Sequence, residues 1–240
     1  MFWDKDTETL DRDSLKQLQV HKTVAQASQS PFYQSLFKQQ GISPNKINSL
    51  DDLRRIPFIE KTTLREHYPY GFLAMPKEKI VRMHSSSGTT GRATVIFHTA
   101  RDIDEWAGLV ARCMYMTGVR ENDVFQNMMG YGLFTGGLGF HYGAEKLGAM
   151  VIPSGAGNSK RQIMLMKEFE TTVIHIIPSY ALHLIKTFHD EGVDPQKDLK
   201  LRIAFIGAEP HTEETRRRIE NAYGVKAYNS YGLSEMNGPG

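Results

Sequence analysis

This 240-residue sequence has a single cysteine, no long apolar run and nearly equal numbers of basic and acidic residues. The single cysteine, Cys113, excludes an internal disulfide framework and suits a reducing compartment. No window approaches about eighteen apolar residues, and the acidic N-terminus lacks the apolar core of a signal peptide, so we expect a cytoplasmic protein that does not span a membrane. With 29 basic and 27 acidic residues, no long-range field indicates a nucleic-acid partner or an anionic membrane surface.

Metal-ligand spacing is also lacking, because none of the nine histidines forms a zinc-type pattern with Cys113. Apolar residues make up 40% and charged residues 23% of the chain, which is the composition of a globular protein and not of a disordered one. The sequence therefore predicts a folded protein without zinc among these residues.

Helical patterns dominate residues 1–78, whereas short apolar strands alternate with amphipathic helices over residues 79–240. Alternation of this kind indicates βαβ units and a mainly parallel sheet with flanking helices. We therefore predict an α/β fold in which the helical lead-in and the α/β part belong to the same domain. The predicted strands cover residues 79–83, 93–97, 124–128, 149–152, 172–176, 201–206 and 225–228.

The loop between the first two predicted strands is rich in hydroxyl groups and glycine, with the sequence SSSGTTG over residues 85–91. Glycines let successive backbone N–H groups converge on an anion, hydroxyls add donors, and Arg92 adds a charge-assisted contact to a phosphate oxygen. A strand follows this serine loop, so it is not a Walker loop, which enters a helix. The alternative is a flexible linker, but a linker has no reason to interrupt two β segments of one domain, which favours phosphate binding.

A second stretch, GYGLFTGGLGFHYG over residues 130–143, mixes aromatic residues with glycines after the third predicted strand. Aromatic rings beside residues without side chains can line a flat pocket for an apolar ring. The pattern is equally typical of a tight strand-to-helix turn with core aromatics, followed by a helix from about His141 to Leu147. The sequence alone leaves both interpretations open.

Two acidic motifs, IGAEPH over residues 206–211 and YGLSE over residues 231–235, each follow an apolar strand. If the strands are parallel, both motifs lie at the same edge of the sheet. Glu209 or Glu235 could there hold a Mg²⁺ ion, which prefers few carboxylates together with phosphate oxygens. Alternatively, Glu209 caps the helix predicted to begin near Thr212, although Thr212 is itself the better cap.

The motifs SSSGTTGRAT, GAEP and YGLSE, in this order and at these separations, resemble the acyl-adenylate-forming superfamily. YGLFTGGLGFHYGAEKLGAMVIP narrows the resemblance to phenylacetate–coenzyme A ligases, and the lead-in segments SPFYQSLF and IPFIEKTTLREHYPYGFLA are also similar to theirs. The resemblance covers essentially the whole sequence. It implies the N-terminal domain fold of adenylate-forming enzymes, and a reaction in which ATP activates an aryl acid, phenylacetate or a close relative, as an acyl-adenylate before transfer to coenzyme A.

The resemblance also implies roles for individual residues. The residues implied in binding the phosphates of ATP are Ser86, Ser87, Gly88, Thr89, Thr90, Gly91 and Arg92. Those implied in binding adenine are Ala208, Glu209, Pro210, Asn229, Ser230, Tyr231 and Gly232, and those implied in the aryl-acid pocket are Tyr131, Phe134, Gly136 and Gly207. Ser234, near the α-phosphate, and Glu235, on Mg²⁺, are the implied catalytic residues. The implied partners are small molecules, namely the acid, ATP and coenzyme A, and the resemblance admits a homodimer.

Three features depart from the family pattern. Arg92-Ala93-Thr94 follows the serine loop in place of Lys-Pro-Thr, and Asn229 stands where Asp is common. The family also continues past this length into a ribose-binding Asp and a small C-terminal domain with a catalytic Lys. We therefore expect the chain to be the truncated N-terminal part of such a ligase, and residues 1–240 alone to be inactive. A non-catalytic nucleotide-binding fragment and an adenylating relative with a different acceptor are the alternative hypotheses.

Overall fold

The structure is a computed structural model that describes residues 11–86 and 93–236 of the chain. The described residues form two compact units that divide after Ala100. The division made from the sequence, between a lead-in and an α/β part at residue 79, stays a prediction. Within the described ranges, no helix has both the length and the apolarity that crossing a bilayer requires.

The first unit combines helices with one antiparallel hairpin. Its helices and strands are α1 (Arg12–Ala27), α2 (Pro31–Gln40), α3 (Lys61–Glu66), β1 (Ile80–Ser85) and β2 (Val95–Thr99). The side chains of Asp11 and Ser30 accept hydrogen bonds from backbone N–H groups of the first turns and so begin α1 and α2, and Gly41 ends α2 with a φ of 63°. Strands β1 and β2 pair on either side of the serine loop, as the sequence predicts.

The second unit is built on a five-stranded parallel sheet. Its strands are β3 (Val124–Asn127), β4 (Met150–Ile152), β5 (Val173–Ile176), β6 (Ile203–Gly207) and β7 (Lys226–Ser230). The helices around it are α4 (Ala100–Met116), α5 (Thr135–Leu147), α6 (Ser159–Glu168), α7 (Pro178–Asp190), α8 (Pro195–Asp198) and α9 (Glu213–Tyr223). The strand order is β4-β3-β5-β6-β7, and every neighbouring pair is parallel.

Both faces of the central strands β5 and β6 are buried, which is why these two strands are apolar at nearly every position. Along β6, Ile203 and Phe205 pack on one face in a cluster with residues of α4 and α5. Ala204 and Ile206 pack on the other face in a cluster with residues of α6, α7 and α9. Successive side chains of a strand point to opposite faces, so the sheet forms the middle layer between two layers of helices.

The amino edge of the sheet is held by an ion pair between Asp123, which precedes β3, and Arg202, which precedes β6. The carboxylate of Asp123 also accepts hydrogen bonds from Thr172 Oγ1 and from the backbone N–H of Arg120, each at 2.7 Å. Burial alone would raise the pKa of Asp123, but the hydrogen bonds from Arg202, Thr172 and Arg120 outweigh it and lower that pKa below its ordinary value. These contacts join the starts of β3, β5 and β6.

The glycine-rich stretch after β3 is largely helical, because α5 already begins at Thr135. The start predicted for this helix, at about His141, is therefore wrong. Gly139 and Gly143 of α5 face α4, and a Cβ on Gly143 would lie 2.6 Å from Cγ1 of Val110. The close approach of the two helices requires glycine here, and this requirement outweighs the low helix propensity of glycine.

Candidate functional site

The carboxyl edge of the parallel sheet is where the topology predicts a ligand site. After β3 the chain adds β4 on one side of β3, and then crosses over to add β5 on the other side. The helices that leave β3 and β5, α5 and α7, pack on opposite faces of the sheet. A change of direction of this kind opens a crevice between the carboxyl ends of the two strands.

The two acidic motifs lie side by side at this edge, because the strands that precede them are parallel neighbours. Ile206 pairs with Asn229 and Gly207 with Ser230 in the register of β6 and β7. A Cβ on Gly207 would overlap the backbone oxygen and the hydroxyl of Ser230, so this position requires glycine. The next residue, Ala208, has a φ of 65°, a left-handed conformation that residues other than glycine rarely adopt. The backbone therefore turns away from the sheet at Ala208, which is exposed.

The carboxylate of Glu209 binds the first turn of α7. Its oxygens accept hydrogen bonds from the backbone N–H of Ser179 at 3.0 Å and from the Ser179 hydroxyl at 2.8 Å. The free N–H groups and the dipole of a helix N-terminus favour a negative charge at this place. Helix α9 is instead capped by Thr212, whose Oγ1 accepts from the N–H of Thr215 at 3.1 Å. Both oxygens of Glu209 are therefore engaged within the protein, and its place at a Mg²⁺ ion stays a prediction, as does that of Glu235.

The remaining predicted residues of this edge lie at the end of β7 or follow it. Ser234 and Glu235 are half-buried in a short 3-10 turn, whereas Asn229 and Tyr231 are exposed. In residues 11–86 and 93–236, no group of three histidine, cysteine or acidic side chains is placed to hold a metal ion. A donor set with a single carboxylate fits Mg²⁺ when phosphate oxygens complete the coordination.

A buried polar cluster lies at the end of β3. Asn127 Oδ1 accepts a hydrogen bond from the backbone N–H of Met129 at 3.3 Å and lies 3.2 Å from His175 Nδ1. Asn127 Nδ2 donates to the carbonyl oxygen of Gly137 at 2.7 Å and to Tyr131 Oη at 2.9 Å. Burial lowers the pKa of His175 to about 3, so its imidazole is neutral near pH 7.

Tyr131, which the resemblance places in an acid pocket, has its hydroxyl turned inward. Its Oη lies 3.1 Å from His141 Nδ1 on α5, and His141 Nε2 lies 3.1 Å from Glu145 Oε1. Burial raises the pKa of Tyr131 to about 12, so the hydroxyl keeps its proton. The residue is still 36% exposed, although its hydroxyl is hydrogen-bonded to the buried Asn127.

Three residues of this cluster were not predicted from the sequence, namely Asn127, His141 and His175. A polar residue near the carboxyl end of an otherwise apolar strand was the available signal for Asn127 and His175, because such residues lie at the edge where ligands bind. No comparable signal marks His141, whose place in the cluster depends on where α5 begins.

A cavity of about 400 Å³ opens at the carboxyl edge, between the loops that follow β3, β4 and β5. Its lining includes Met128, Met129 and Gly130 after β3, Gly157 after β4, and Ile177 and Tyr180 at the start of α7. The volume and the mostly apolar lining are typical of a small-molecule site. Tyr131 and Phe134 follow Gly130 in the chain but do not line this cavity, and their place in an acid pocket stays a prediction.

Phe134 and Gly136 are in contact at the start of α5. A Cβ on Gly136 would lie 2.5 Å from Cε1 of Phe134, so the glycine lets the ring lie against the helix. Phe134 is 43% exposed, whereas Phe140, six residues further along, is buried in the core. The glycine-rich stretch therefore carries both a core aromatic and a partly exposed one, and its use as a pocket for an apolar ring stays a prediction.

Only the base of the serine loop lies within the described residues. The backbone N–H of Ser86 donates to the carbonyl oxygen of Thr94 at 3.0 Å, and Ser86 Oγ accepts from the backbone N–H of Thr94 at 3.0 Å. These bonds extend the β1–β2 hairpin and bring the two ends of the loop together. The other predicted phosphate-binding residues, Ser87, Gly88, Thr89, Thr90, Gly91 and Arg92, lie outside the described residues.

Comparison with known proteins identifies relatives along the whole chain. A family described as AMP-binding enzyme matches residues 4–240. A phenylacetate-coenzyme A ligase of Pseudomonas putida is 45% identical over 237 residues, which are 97% of this chain and 54% of the relative. A phenylacetate-coenzyme A ligase of Thermus thermophilus is 45% identical over 244 residues, which are 100% of this chain and 55% of the relative. The chain thus spans about half the length of the curated relatives it matches.

Solved structures of a 2-hydroxyisobutyryl-CoA ligase are also similar to the chain. The structure in complex with 2-HIB-AMP and CoA in the thioesterification state has a TM-score of 0.87 at 31% identity, and the match covers 95% of this chain and 50% of that one. The open conformation in complex with the same ligands has a TM-score of 0.86 at 30% identity, over 94% of this chain and 50% of that one. The predicted fold, a helical lead-in followed by a mainly parallel sheet with flanking helices, is confirmed.

Proposed function

Because the chain belongs to the AMP-binding enzyme family, we propose that the protein is an AMP-forming ligase that joins phenylacetate, or a close relative, to coenzyme A. The observation that carries this proposal is the register of β6 and β7, which sets the GAEP and YGLSE motifs side by side at the carboxyl edge of a parallel sheet. That edge is where open α/β sheets bind nucleotides. The acid and the acceptor in this proposal, phenylacetate and coenzyme A, are those in the names of the similar ligases.

The proposed reaction has two steps. In the first, an oxygen of the substrate carboxylate attacks the α-phosphorus of ATP, and pyrophosphate leaves with the electron pair of the broken P–O bond. In the second, the thiol of coenzyme A loses its proton and attacks the acyl carbon, and AMP leaves with the electron pair of the broken C–O bond. Positioning and charge stabilisation are the main contributions that a protein makes to such steps.

We assign adenine to the backbone after β6 and β7. The close packing of Gly207 on Ser230 and the left-handed turn at Ala208 support a flat backbone surface there, against which a planar base can lie. Ser234 is assigned to the α-phosphate, and Glu235 to a Mg²⁺ ion that would neutralise charge on the phosphates of ATP. The remaining residues assigned to adenine are Glu209, Pro210, Asn229, Tyr231 and Gly232.

The β- and γ-phosphates are assigned to the serine loop. Its composition suits an anion, because backbone N–H groups and hydroxyls are donors and Arg92 adds a positive charge. The bonds between Ser86 and Thr94 support this assignment, since they join the ends of the loop. A loop with joined ends loses less conformational entropy when it binds a ligand.

The acid is assigned to the partly exposed residues Tyr131 and Phe134, together with Gly136 and Gly207.

The proposal includes a cytoplasmic location, since one cysteine suits a reducing compartment. It also admits a homodimer, which sedimentation of the purified protein would test.

Pyrophosphate release by the protein produced from its complete reading frame tests the proposal. Phenylacetate should release pyrophosphate from ATP, and with coenzyme A present it should yield AMP and phenylacetyl-coenzyme A. Acetate is the control acid and should be used poorly, because it cannot fill a pocket built for a ring. Pyrophosphate release without thioester would indicate a different acceptor, and ATP binding without any release would indicate a non-catalytic nucleotide-binding protein.

A further inference from the structure

The hydrogen bonds around Tyr131 have directions that the surrounding backbone determines. The Met129 N–H can only donate, and it donates to Asn127 Oδ1. The Gly137 carbonyl oxygen can only accept, and it accepts from Asn127 Nδ2. These two backbone groups set the orientation of the Asn127 amide. Nδ2 of Asn127 must therefore be the donor, and Tyr131 Oη the acceptor, in the bond between them.

The direction set at Asn127 continues outward to the surface. Because Tyr131 Oη accepts from Asn127, its own proton is free to go to the other hydrogen-bond neighbour of that oxygen among the described residues, Nδ1 of His141. With Nδ1 accepting the tyrosine proton, Nε2 is the ring nitrogen that donates to the carboxylate of Glu145. The four side chains of Asn127, Tyr131, His141 and Glu145, here called the tyrosine network, thus form one chain of donors pointing outward.

The buried end of the tyrosine network is held by His175. Its imidazole is 1% exposed and neutral, and it faces Oδ1 of Asn127, which is an acceptor. Nδ1 of His175 is therefore protonated and adds a second donor to Oδ1 of Asn127 beside the Met129 N–H. If the Asn127 amide were rotated by 180°, its NH₂ group would face these two donors and its oxygen would face the Gly137 carbonyl oxygen. Only the observed orientation therefore satisfies all three contacts.

We propose that His141 and Glu145 are positioning residues that determine substrate specificity, because they keep the hydroxyl of Tyr131 bound inside the protein. Tyr131 then contacts the acid with the face of its ring, and its hydroxyl is not available to donate a hydrogen bond to the acid. Such a contact suits an aryl acid whose ring carries no polar group, and it gains nothing from a ring hydroxyl. This inference rests on the proposed function and names the substrate class of the same site.

Two substitutions of similar size at His141 separate positioning from mere packing. His141→Leu removes the acceptor of the Tyr131 proton, and the hydroxyl can then satisfy itself by donating to a hydroxyl on the substrate ring. His141→Asn keeps an acceptor near the place of Nδ1. With 4-hydroxyphenylacetate and phenylacetate as the probes, the ratio of their kcat/KM values should rise about three- to tenfold in His141→Leu, as one additional hydrogen bond allows. In His141→Asn the ratio should stay close to that of the unchanged protein.

Tyr131→Phe provides the matched background. If His141 acts through the tyrosine hydroxyl, adding His141→Leu to Tyr131→Phe should leave the ratio unchanged, because there is no hydroxyl left to release. An equal change of the ratio in both backgrounds would show that His141 acts through packing and would overturn the inference. Glu145→Ala should change the ratio in the same direction but less, since the carboxylate is half-exposed and water can replace it.

Nitrogen NMR of the imidazoles gives a readout that does not depend on activity. His141 should carry its proton on Nε2, with an unprotonated, hydrogen-bonded Nδ1, and a ring protonated on Nδ1 alone would overturn the network. If the protein uses neither acid, the proposed function fails and the specificity inference falls with it. If it uses the acids but His141→Leu leaves their ratio unchanged, only the inference fails.

Discussion

A glycine-to-alanine substitution in α5 tests whether the contact between α4 and α5 explains the glycine-rich stretch. In Gly143→Ala the new methyl group would lie 2.6 Å from Cγ1 and 2.8 Å from Cβ of Val110, and 3.2 Å from the backbone nitrogen of Ala111. Val110 is 1% exposed and β-branched, so it cannot move aside by changing rotamer. The two helices must separate instead.

Gly108→Ala, in α4, is the matched control. Its methyl group would meet nothing closer than Cε and Nζ of Lys146, both at 3.8 Å, which is ordinary contact with a flexible side chain. Each substitution gains about 1 kcal/mol from the higher helix propensity of alanine. Overpacking of a buried site costs about 1–3 kcal/mol, and this cost applies at Gly143 alone. The difference in stability between the two variants therefore isolates the packing cost.

Thermal unfolding of the two variants measures this difference. We expect Gly108→Ala to raise Tm. The Tm of Gly143→Ala should be lower than that of Gly108→Ala by about 2–4 °C for each kcal/mol of overpacking. Urea denaturation with an unchanged m-value would show that stability has changed without a change in the surface exposed on unfolding. If both substitutions raise Tm by the same amount, the argument that α5 needs glycine to approach α4 is wrong.

Three further predictions concern residues on the serine loop and at the two edges of the sheet. The double substitution Thr89→Ala/Thr90→Ala should weaken ATP binding, because one hydrogen bond to a charged group is worth about 1.5–3 kcal/mol; unchanged affinity in calorimetric titration would remove the phosphate assignment. The lowered pKa of Asp123 means that its carboxylate stabilises the fold above the unfolded value of about 3.8, and that this stabilisation is lost as the pH falls through the lower folded value. Asp123→Asn should flatten this acid limb in urea denaturation, and an equally steep limb would contradict the assignment. Glu209→Ala should destabilise the fold by about 0.5–2 kcal/mol through loss of the cap on α7, whereas the control Glu214→Ala, at an exposed position of α9, should have little effect on Tm.

The edge of the sheet that carries the candidate site could be predicted from the sequence. Apolar strands that alternate with helices indicate parallel neighbours, and parallel neighbours bring residues such as Gly207 and Ser230 to one edge. The cap of α9 was equally predictable, because Thr212 precedes the helix directly and acts on backbone groups three residues away. Each of these inferences uses short-range chemistry or a rule about chain direction.

The start of α5 and the role of Glu209 could not be predicted in the same way. A run of glycines favours a turn locally, and α5 begins early because Gly143 and its neighbours fit against α4, a helix that is distant in the sequence. Glu209 binds Ser179, which lies 30 residues earlier, and local capping rules point to the following helix instead. In both cases a contact between segments that are distant in the sequence outweighs the local preference.

The sequence by itself determined the alternation of strands and helices, the parallel sheet, and the placing of the acidic motifs at its carboxyl edge. These features follow from hydrophobic periodicity and chain direction, which can be recognised over short stretches of the sequence. Only the tertiary structure decided that the hydroxyl of Tyr131 points inward. Its direction depends on Asn127 from a strand and His141 from a helix, and the backbone groups that orient Asn127 become its neighbours only when the chain has folded.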